Sequence, residues 1–264
     1  MGPSRGQSPE FRPLDGLQSA LAQAPKIGLS NKLNNIYQAL PNTGCLRQGH
    51  CCALLPPLLP AEMLAWLVRL ADRPGPERGG EAARLVEHFL LNAALRRPCP
   101  WALPRACAVY DRRFLACRSY GLWSAGAYEA RRQAALAAQE RAAAAWRELG
   151  VELPPEVLAP GPEYCDQVRL DPNGENRPIA DADLELAEER LAGLVRGMPG
   201  LEPLLASAGD LSYLVARLTL GERQCLEAKM EVTRSLLKHQ GERAADALIQ
   251  NMNIAYNIIS SWTI

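Results

Sequence analysis

The sequence predicts a mainly α-helical protein with few or no strands, in which an irregular, cysteine-rich metal centre is packed between helices. Apolar residues recur at helical spacing over most of the chain, and period-two alternation occurs only in short pieces. Six of the eight cysteines fall in two short segments rich in proline, arginine and small residues. Cysteines used only for packing behave as small hydrophobes scattered along apolar faces, so this clustering indicates that several sulfurs meet at one point.

The composition excludes several classes of partner. Twenty-nine basic residues balance 29 acidic ones, so no net charge favours nucleic acid or an anionic membrane surface. The N-terminus lacks the apolar core of a secretory signal, and no run of about eighteen apolar residues occurs. We therefore expect a soluble, cytoplasmic protein with no nucleic-acid and no membrane partner. In a reducing compartment, clustered cysteines more often bind metal or carry redox chemistry than form disulfides.

The chain begins without a helical pattern. Residues 1–13 are polar and aperiodic, and we interpret them as a disordered tail. From Leu14 to Leu40, apolar residues recur at helical spacing with interruptions at Pro25 and Gly28. This pattern predicts two short helices that lead into the first cysteine segment.

Two helices are predicted between the cysteine segments. Residues 61–71 and 81–95 each place apolar residues on one face. The Pro- and Gly-rich residues 72–80 between them are interpreted as a surface loop. Packing these two helices as a hairpin would return Cys99 to the first cysteine segment.

The rest of the chain is predicted to be helical apart from one Pro-rich connection. Residues 124–150 have the Ala-rich composition of an exposed helix, with Gly150 as its C-terminal cap. The Pro-rich connection ends at Cys165. The further predicted helices are 181–196, 201–220 and 222–262, the last with a break at Gly241. Short strand pieces are predicted at 108–110 and 167–170, and the chain is divided into the tail (1–13), a cysteine-cluster metal-binding region (14–175) and a C-terminal helical region (176–264).

The two cysteine segments read CLRQGHCC, from Cys45 to Cys52, and CPWALPRACAVYDRRFLACRSY, from Cys99 to Tyr120. Together they resemble the YkgJ-like cysteine-cluster proteins, also called the zinc/iron-chelating domain. The first segment is similar to that family's opening motif CxxCGxCC, and the second matches its signature at Cys99-Pro100, Cys107, Tyr110, Arg113 and Ala116-Cys117-Arg118. The chain departs from the family at Gln48, where a cysteine is expected, and at Phe114, where proline is usual. The first departure removes one candidate ligand, and the second is expected to affect only a turn.

The clustered cysteines are predicted to bind zinc, iron or an iron–sulfur cluster, because these centres are soft enough to prefer thiolate. Neighbouring side chains diverge, so only one of Cys51 and Cys52 is expected to point at a given metal. Some relatives in the resembling family carry a further cysteine after the second motif, which favours Cys165 as a ligand. The predicted ligand set is Cys45, Cys51, Cys52, Cys99, Cys107, Cys117 and Cys165. The alternative is a set of buried free thiols.

Other residues near the clusters have weaker signals. Arg113 and Arg118 are predicted to stabilise thiolate charge, to hold a carboxylate or to form a structural salt bridge. An apolar lid over the metal is predicted from Tyr110, Tyr120 and Trp123. His50 can ligate the metal or donate to a sulfur. The remaining candidates, predicted to be structural, are Cys225, His88 and His239.

Three classes of function are compatible with these features. The first is a metal-chelating protein in which the centre is structural or serves in metal handling. The second is an enzyme, since flagellin lysine-N-methylases resemble the family in their cysteine motifs, which implies metal-centre-dependent methyl transfer. The third is a helical interaction module with a protein partner and a structural metal. No nucleotide-binding glycine pattern, serine elbow, HExxH or EF-hand loop occurs, so no catalytic residue is assigned.

Overall fold

The computed structural model describes residues 17–41, 43–44, 50–104, 106–159, 161–166, 168–170 and 179–262. Within these ranges the chain forms eleven α-helices, two 3-10 turns and four two-residue strands. The prediction of a mainly helical protein is confirmed. The tail predicted at 1–13 and the candidate ligand Cys45 lie outside the described residues.

The helices are numbered in chain order. They are α1 Leu17–Lys26, α2 Leu29–Gln38, α3 Pro60–Ala71, α4 Gly75–Leu91, α5 Leu115–Arg118, α6 Ala125–Glu148, α7 Asp181–Gly193, α8 Glu202–Ala206, α9 Leu211–Leu220, α10 Glu222–Leu237 and α11 Gly241–Ser260. The 3-10 turns are His50–Cys52 and Tyr110–Arg112. The strands form two antiparallel pairs, β1 Thr43–Gly44 with β4 Arg169–Leu170 and β2 Ala102–Leu103 with β3 Ala106–Cys107.

The ends of α6 follow from local sequence signals. The Ser124 hydroxyl accepts a hydrogen bond from the backbone N–H of Ala127 at 3.2 Å, which caps the N-terminus. At the other end Gly150 has φ +75°, and Val151 N–H bonds Trp146 O at 3.0 Å. This is a Schellman motif, in which glycine tolerates the left-handed backbone, so the predicted cap is confirmed.

The prediction of a surface loop at 72–80 is wrong, because α4 already begins at Gly75. Pro74 and Pro76 suggested a loop. They occupy the N-cap and the first turn, where proline removes no intrahelical hydrogen bond. The helix predicted to reach residue 95 ends at Leu91.

The prediction of one continuous helix at 201–220 is also wrong. The chain breaks between α8 and α9, where Ala208 has φ +50° and Gly209 has φ +82°. There the Gly209 carbonyl accepts a hydrogen bond from Leu58 N–H at 2.9 Å. The break therefore connects the C-terminal helices to the Pro-rich segment before α3. Of the predicted strand pieces, the one at 167–170 contains β4, whereas residues 108–110 lead into a 3-10 turn.

The centre of the fold is α4, which packs along α11 and against α9 rather than folding back on α3 as the predicted hairpin. One apolar core joins Leu67 of α3, Leu85 of α4, Leu191 of α7 and Leu214 of α9. This core crosses the boundary placed between 14–175 and 176–264, and that division stays a prediction. None of the helices within the described ranges is long and apolar enough to cross a membrane.

Candidate metal centre

Five cysteines line one small cavity, which we name the thiol cavity. They are Cys51, Cys52, Cys99, Cys107 and Cys117, and all five are free thiols. The cavity has a volume of about 40 Å³, where one water needs about 10–15 Å³. Its other described lining residues are mostly apolar, and Arg113 is the charged one among them. The structure thus brings the two cysteine segments to one point.

Backbone hydrogen bonds create this arrangement. Cys99 N–H donates to the Cys52 carbonyl at 2.9 Å, which joins the second cysteine segment to the first. Ala102 N–H then donates to the Cys99 carbonyl, also at 2.9 Å. The β2–β3 pair sets Cys107 opposite Ala102, so the hairpin returns Cys107 to Cys99.

The short helix α5 carries Cys117 to the cavity. Cys117 N–H bonds the Phe114 carbonyl at 3.0 Å. The Phe114 side chain is buried, lines the cavity and packs on Trp101 with 5.6 Å between ring centroids. The expectation that Phe114 affects only a turn is therefore wrong, because its ring forms part of the cavity wall.

Glu62 is a buried carboxylate beside α5 that the sequence patterns did not indicate. Its side chain Oε1 accepts from Tyr37 Oη at 2.5 Å and from Leu115 N–H at 2.6 Å, and Oε2 accepts from Leu59 N–H at 2.9 Å. Burial raises the pKa of Glu62, and these donors oppose the shift. The available signal was its place in the first turn of α3, where a glutamate bonds the backbone before its own helix.

The thiols of Cys51, Cys52 and Cys99 differ in how easily they ionise. Cys51 Sγ and Cys52 Sγ lie 3.9 Å apart. The hydrogen bond from Cys52, with help from the Arg113 guanidinium, lowers the pKa of Cys51 to about 6. The same bond and burial raise the pKa of Cys52, and burial raises the pKa of Cys99 to about 11. Cys51 is thus the most acidic of these three thiols.

The predicted metal centre itself is not shown. In the part of the chain that the structure describes, no group of three or more His, Cys, Asp or Glu side chains is arranged to hold a metal ion. The chemistry of the donor set nevertheless fits one. The described lining offers sulfur and no carboxylate or imidazole, which suits soft metals. A metal replaces thiol protons as it binds, and Arg113 would offset part of the resulting thiolate charge.

Cys165 lies outside the described lining of the thiol cavity. Its segment packs on the turn after α5, where Tyr120 Oη donates to the Glu163 carbonyl at 2.6 Å. Burial raises the pKa of Tyr120, and the nearby charges of Cys165 and Cys51 add to the shift. A Cβ at Gly121, next to Tyr120, would lie 3.2 Å from the Cys165 carbonyl oxygen, so the Cys165 segment contacts this turn. The ligand role of Cys165 stays a prediction.

The candidates predicted to be structural lie away from the cavity. Cys225 is fully buried in α10, where its thiol donates to the Glu222 carbonyl at 3.1 Å. His88 is buried in α4, and His239 is exposed after α10. His50, a possible ligand by sequence, is exposed and is absent from the described cavity lining.

The predicted lid holds only for Tyr110, which lines the thiol cavity with Arg113 over its ring at 4.0 Å. Tyr120 and Trp123 instead line a larger opening of about 630 Å³, which we name the groove. Cys51 lines both spaces. The sequence could not indicate which aromatic residues face the thiol cavity and which face the groove, because the two spaces meet at Cys51.

Charged residues also line the groove. Arg131 lies 3.6 Å above the Trp123 ring and bonds both carboxylate oxygens of Glu188, at 2.9 and 2.8 Å. Arg118 is absent from the described lining of the thiol cavity and donates to the main-chain carbonyls of Arg113 and Asp111. Of the two arginines predicted to act on thiolate charge, Arg113 is the one that lines the cavity.

Comparisons with protein-family models, curated proteins and solved structures found no match for this chain. The resemblance to the cysteine-cluster proteins therefore rests on the residues of the two motifs and stays a prediction.

Proposed function

We propose that this chain binds a thiophilic metal, as zinc, iron or an iron–sulfur cluster, through cysteine thiolates of the thiol cavity. The observation that carries the proposal is the meeting of five free cysteines from the two cysteine segments in one mostly apolar cavity. A core needs no such meeting of sulfurs, since isolated cysteines pack equally well. Cys45 and Cys165 complete the proposed ligand set.

The number of sulfurs bears on the kind of centre. A structural zinc site takes four ligands, so the five cavity thiols exceed one such site. The adjacent side chains of Cys51 and Cys52 allow one sulfur to bind a metal while the other remains a hydrogen-bond donor. This set is compatible with a single metal ion bound by four thiolates or with an iron–sulfur cluster bound by four cysteines.

The test is an anaerobic preparation analysed for metal and labile sulfide beside a visible spectrum. Stoichiometric zinc without colour would establish a redox-inactive centre. Iron with labile sulfide and broad visible absorption would establish an iron–sulfur cluster. Protein that binds neither zinc nor iron under reducing conditions would overturn the proposal.

A metal-centre-dependent enzyme is the second candidate, and the groove favours it. Its volume of about 630 Å³ lies within the range of roughly 300–1,000 Å³ that is usual for ligand sites. Because Cys51 lines both spaces, a metal held by Cys51 would lie next to a ligand in the groove. The third class, an interaction module with a structural metal, stays a prediction.

Access from the groove tests this second candidate. Imidazole added to cobalt-substituted protein should alter its visible spectrum if the metal can be reached. Ala135→Trp, in the groove wall, should suppress that change, whereas Ala134→Trp, on the exposed face of the same helix, should not. A spectrum insensitive to imidazole in the wild type would count against an enzyme.

A further inference from the structure

We infer that Glu62 is a positioning residue of the metal centre, which holds Cys117 in the thiol cavity by accepting a hydrogen bond from the first residue of α5. The inference deepens the proposed function and rests on it. Glu62 belongs to α3 and lies far from Cys117 in sequence, so the link exists only in the folded chain.

The need for such a residue follows from the size of α5. The helix has four residues, Leu115–Arg118, and a helix this short does not persist without tertiary support. Its N-cap residue, Phe114, provides no side-chain hydrogen bond. Glu62 Oε1 supplies the missing acceptor at 2.6 Å from Leu115 N. Cys117 lies two residues further on and has little freedom of its own once that N–H is fixed.

Glu62 is itself held in place. Tyr37 of α2 donates to the same Oε1 at 2.5 Å, and Leu59 N–H donates to Oε2 at 2.9 Å. From the α5 side, the Arg118 guanidinium lies over the Tyr37 ring at 4.6 Å from its centroid. One carboxylate that is 2% exposed therefore connects α2, α3 and α5.

A geometric role explains why a carboxylate occupies this site. Burying a carboxylate is costly unless its oxygens are hydrogen-bonded, and an apolar side chain would pack there at lower cost. Both oxygens of Glu62 accept hydrogen bonds from Tyr37, Leu59 and Leu115, and none of these bonds reaches a cysteine. The remaining contribution of Glu62 is the position that its hydrogen bonds impose on α5.

The experiment compares Glu62→Ala and Glu62→Gln with Asp210→Ala. Asp210 is a matched control, since its carboxylate caps α9 by accepting from Tyr213 N–H at 3.0 Å. Two measurements are made on reduced protein. In the metal-free state, phenylarsine oxide joins thiols that lie close together, and mass spectrometry shows whether Cys117 is among them. Zinc affinity is then measured by competition with a chromophoric chelator.

We expect Glu62→Ala to remove Cys117 from the arsenical adduct and to weaken zinc binding about 10- to 100-fold, as loss of a hydrogen-bond partner around a metal site does. Glu62→Gln should retain Cys117 in the adduct, because its amide oxygen still accepts from Leu115 N–H. Asp210→Ala should match the wild type in both measurements. Equal effects of Glu62→Ala and Asp210→Ala would overturn the inference, as would equal losses in Glu62→Ala and Glu62→Gln.

Two further outcomes separate the inference from the proposed function. In the first, the wild type binds no zinc, and Cys117 is captured by the arsenical in the wild type but not in Glu62→Ala. This outcome would refute metal binding and support positioning. Normal zinc binding in Glu62→Ala would do the reverse. If Glu62→Ala fails to fold, Tyr37→Phe replaces it. Tyr37→Phe should then weaken zinc binding, though by less than tenfold, whereas Asp210→Ala should leave zinc affinity unchanged. Unchanged zinc affinity in Tyr37→Phe, with loss of Cys117 capture in Glu62→Gln, would then refute positioning.

Discussion

The backbone N–H of Cys99 donates a hydrogen bond to the carbonyl oxygen of Cys52, with 2.9 Å between the two atoms. This bond joins the two cysteine segments through the main chain and not through sulfur. Since buried backbone groups are nearly always paired, the bond fixes the approach of the segments before any metal binds. A metal would then need only side-chain movements to gather the sulfurs that already surround the thiol cavity.

The first prediction compares two buried cysteines. Cys99→Ser should weaken metal binding by more than the about 10- to 100-fold expected for an outer hydrogen-bond partner. Cys225→Ser should leave metal content unchanged, because that thiol bonds the Glu222 carbonyl away from the cavity. Metal analysis of both purified variants checks this. A loss of metal in Cys225→Ser would show that α10 belongs to the site.

The second prediction concerns the reactivity of Cys51. In reduced, metal-free protein, iodoacetamide should alkylate Cys51 first, with half-maximal rate near pH 6, because the Cys52 hydrogen bond and Arg113 lower its pKa to about 6. Cys99, with a pKa of about 11, should react slowly below pH 9. Peptide mass spectrometry over a pH series measures both rates.

Arg113→Gln should move the Cys51 profile to higher pH, since the positive charge that favours the thiolate is lost. Arg112→Gln is the control, because Arg112 is exposed and does not line the cavity. Equal profiles for the two variants would show that Arg113 does not act on Cys51.

The sequence predicted the helices better than the cavity wall. Helical periodicity located α3 and α6 to within a residue or two, because both carry regular patterns with clear end signals. It failed at Gly75, since prolines suit a loop and a first helical turn equally well. The cysteine spacing indicated that sulfurs meet. No spacing in the sequence marked Glu62 as a neighbour of the cysteines, because it meets α5 only through a tertiary hydrogen bond from Leu115 N–H.

The third prediction concerns the packing of α4 on α11. A Cβ at Gly79 would lie 2.7 Å from the Tyr256 carbonyl oxygen and against Ser260 Oγ. Gly79→Ala should therefore lower the free energy of unfolding by about 1–3 kcal/mol through overpacking. Gly80→Ala is the matched control, because no atom lies within 4 Å of its added Cβ, and it should raise that free energy by about 0.5–1 kcal/mol. Urea unfolding measures both, and a stabilised Gly79→Ala would contradict this packing.

The fourth prediction concerns acid stability. Burial lowers the pKa of His88 to about 4, and the positive charges of Lys229 and Arg97 add to the shift. The pKa of histidine in an unfolded chain is near 6.5. Between about pH 6.5 and 4 the unfolded state therefore binds more protons than the folded state, and the free energy of unfolding falls by up to about 3 kcal/mol as the pH is lowered. His88→Leu should remove this part of the pH dependence of unfolding, whereas His239→Gln, at an exposed position, should retain it. Urea unfolding at pH 7 and at pH 4.5 gives the free energy of unfolding of each variant at both pH values. An equal loss of this free energy between the two pH values in both variants would contradict the prediction.

The last prediction concerns what the metal stabilises. Structural zinc contributes about 10–16 kcal/mol of apparent binding free energy in zinc-finger peptides, comparable with a whole domain's net stability of about 5–15 kcal/mol. Chelation under reducing conditions should therefore loosen the segments around the thiol cavity, from about residue 50 to 58 and from 99 to 120. Although α4 lies between these segments in sequence, it should stay protected, because Leu85, Val86 and Phe89 are buried in the core it shares with α9 and α11.

Amide hydrogen exchange with and without chelator measures this, and Cys99→Ser, expected to lack metal, should show no further change when chelator is added. Loss of protection confined to the cavity segments would mean that the metal fixes a local structure on an independently stable helical body. Uniform loss along the chain would instead indicate one cooperative core that depends on the metal. Unchanged protection in protein shown to have lost its metal would mean that the metal does not hold the fold, which would leave chemistry or metal handling as the reason for five thiols in one cavity.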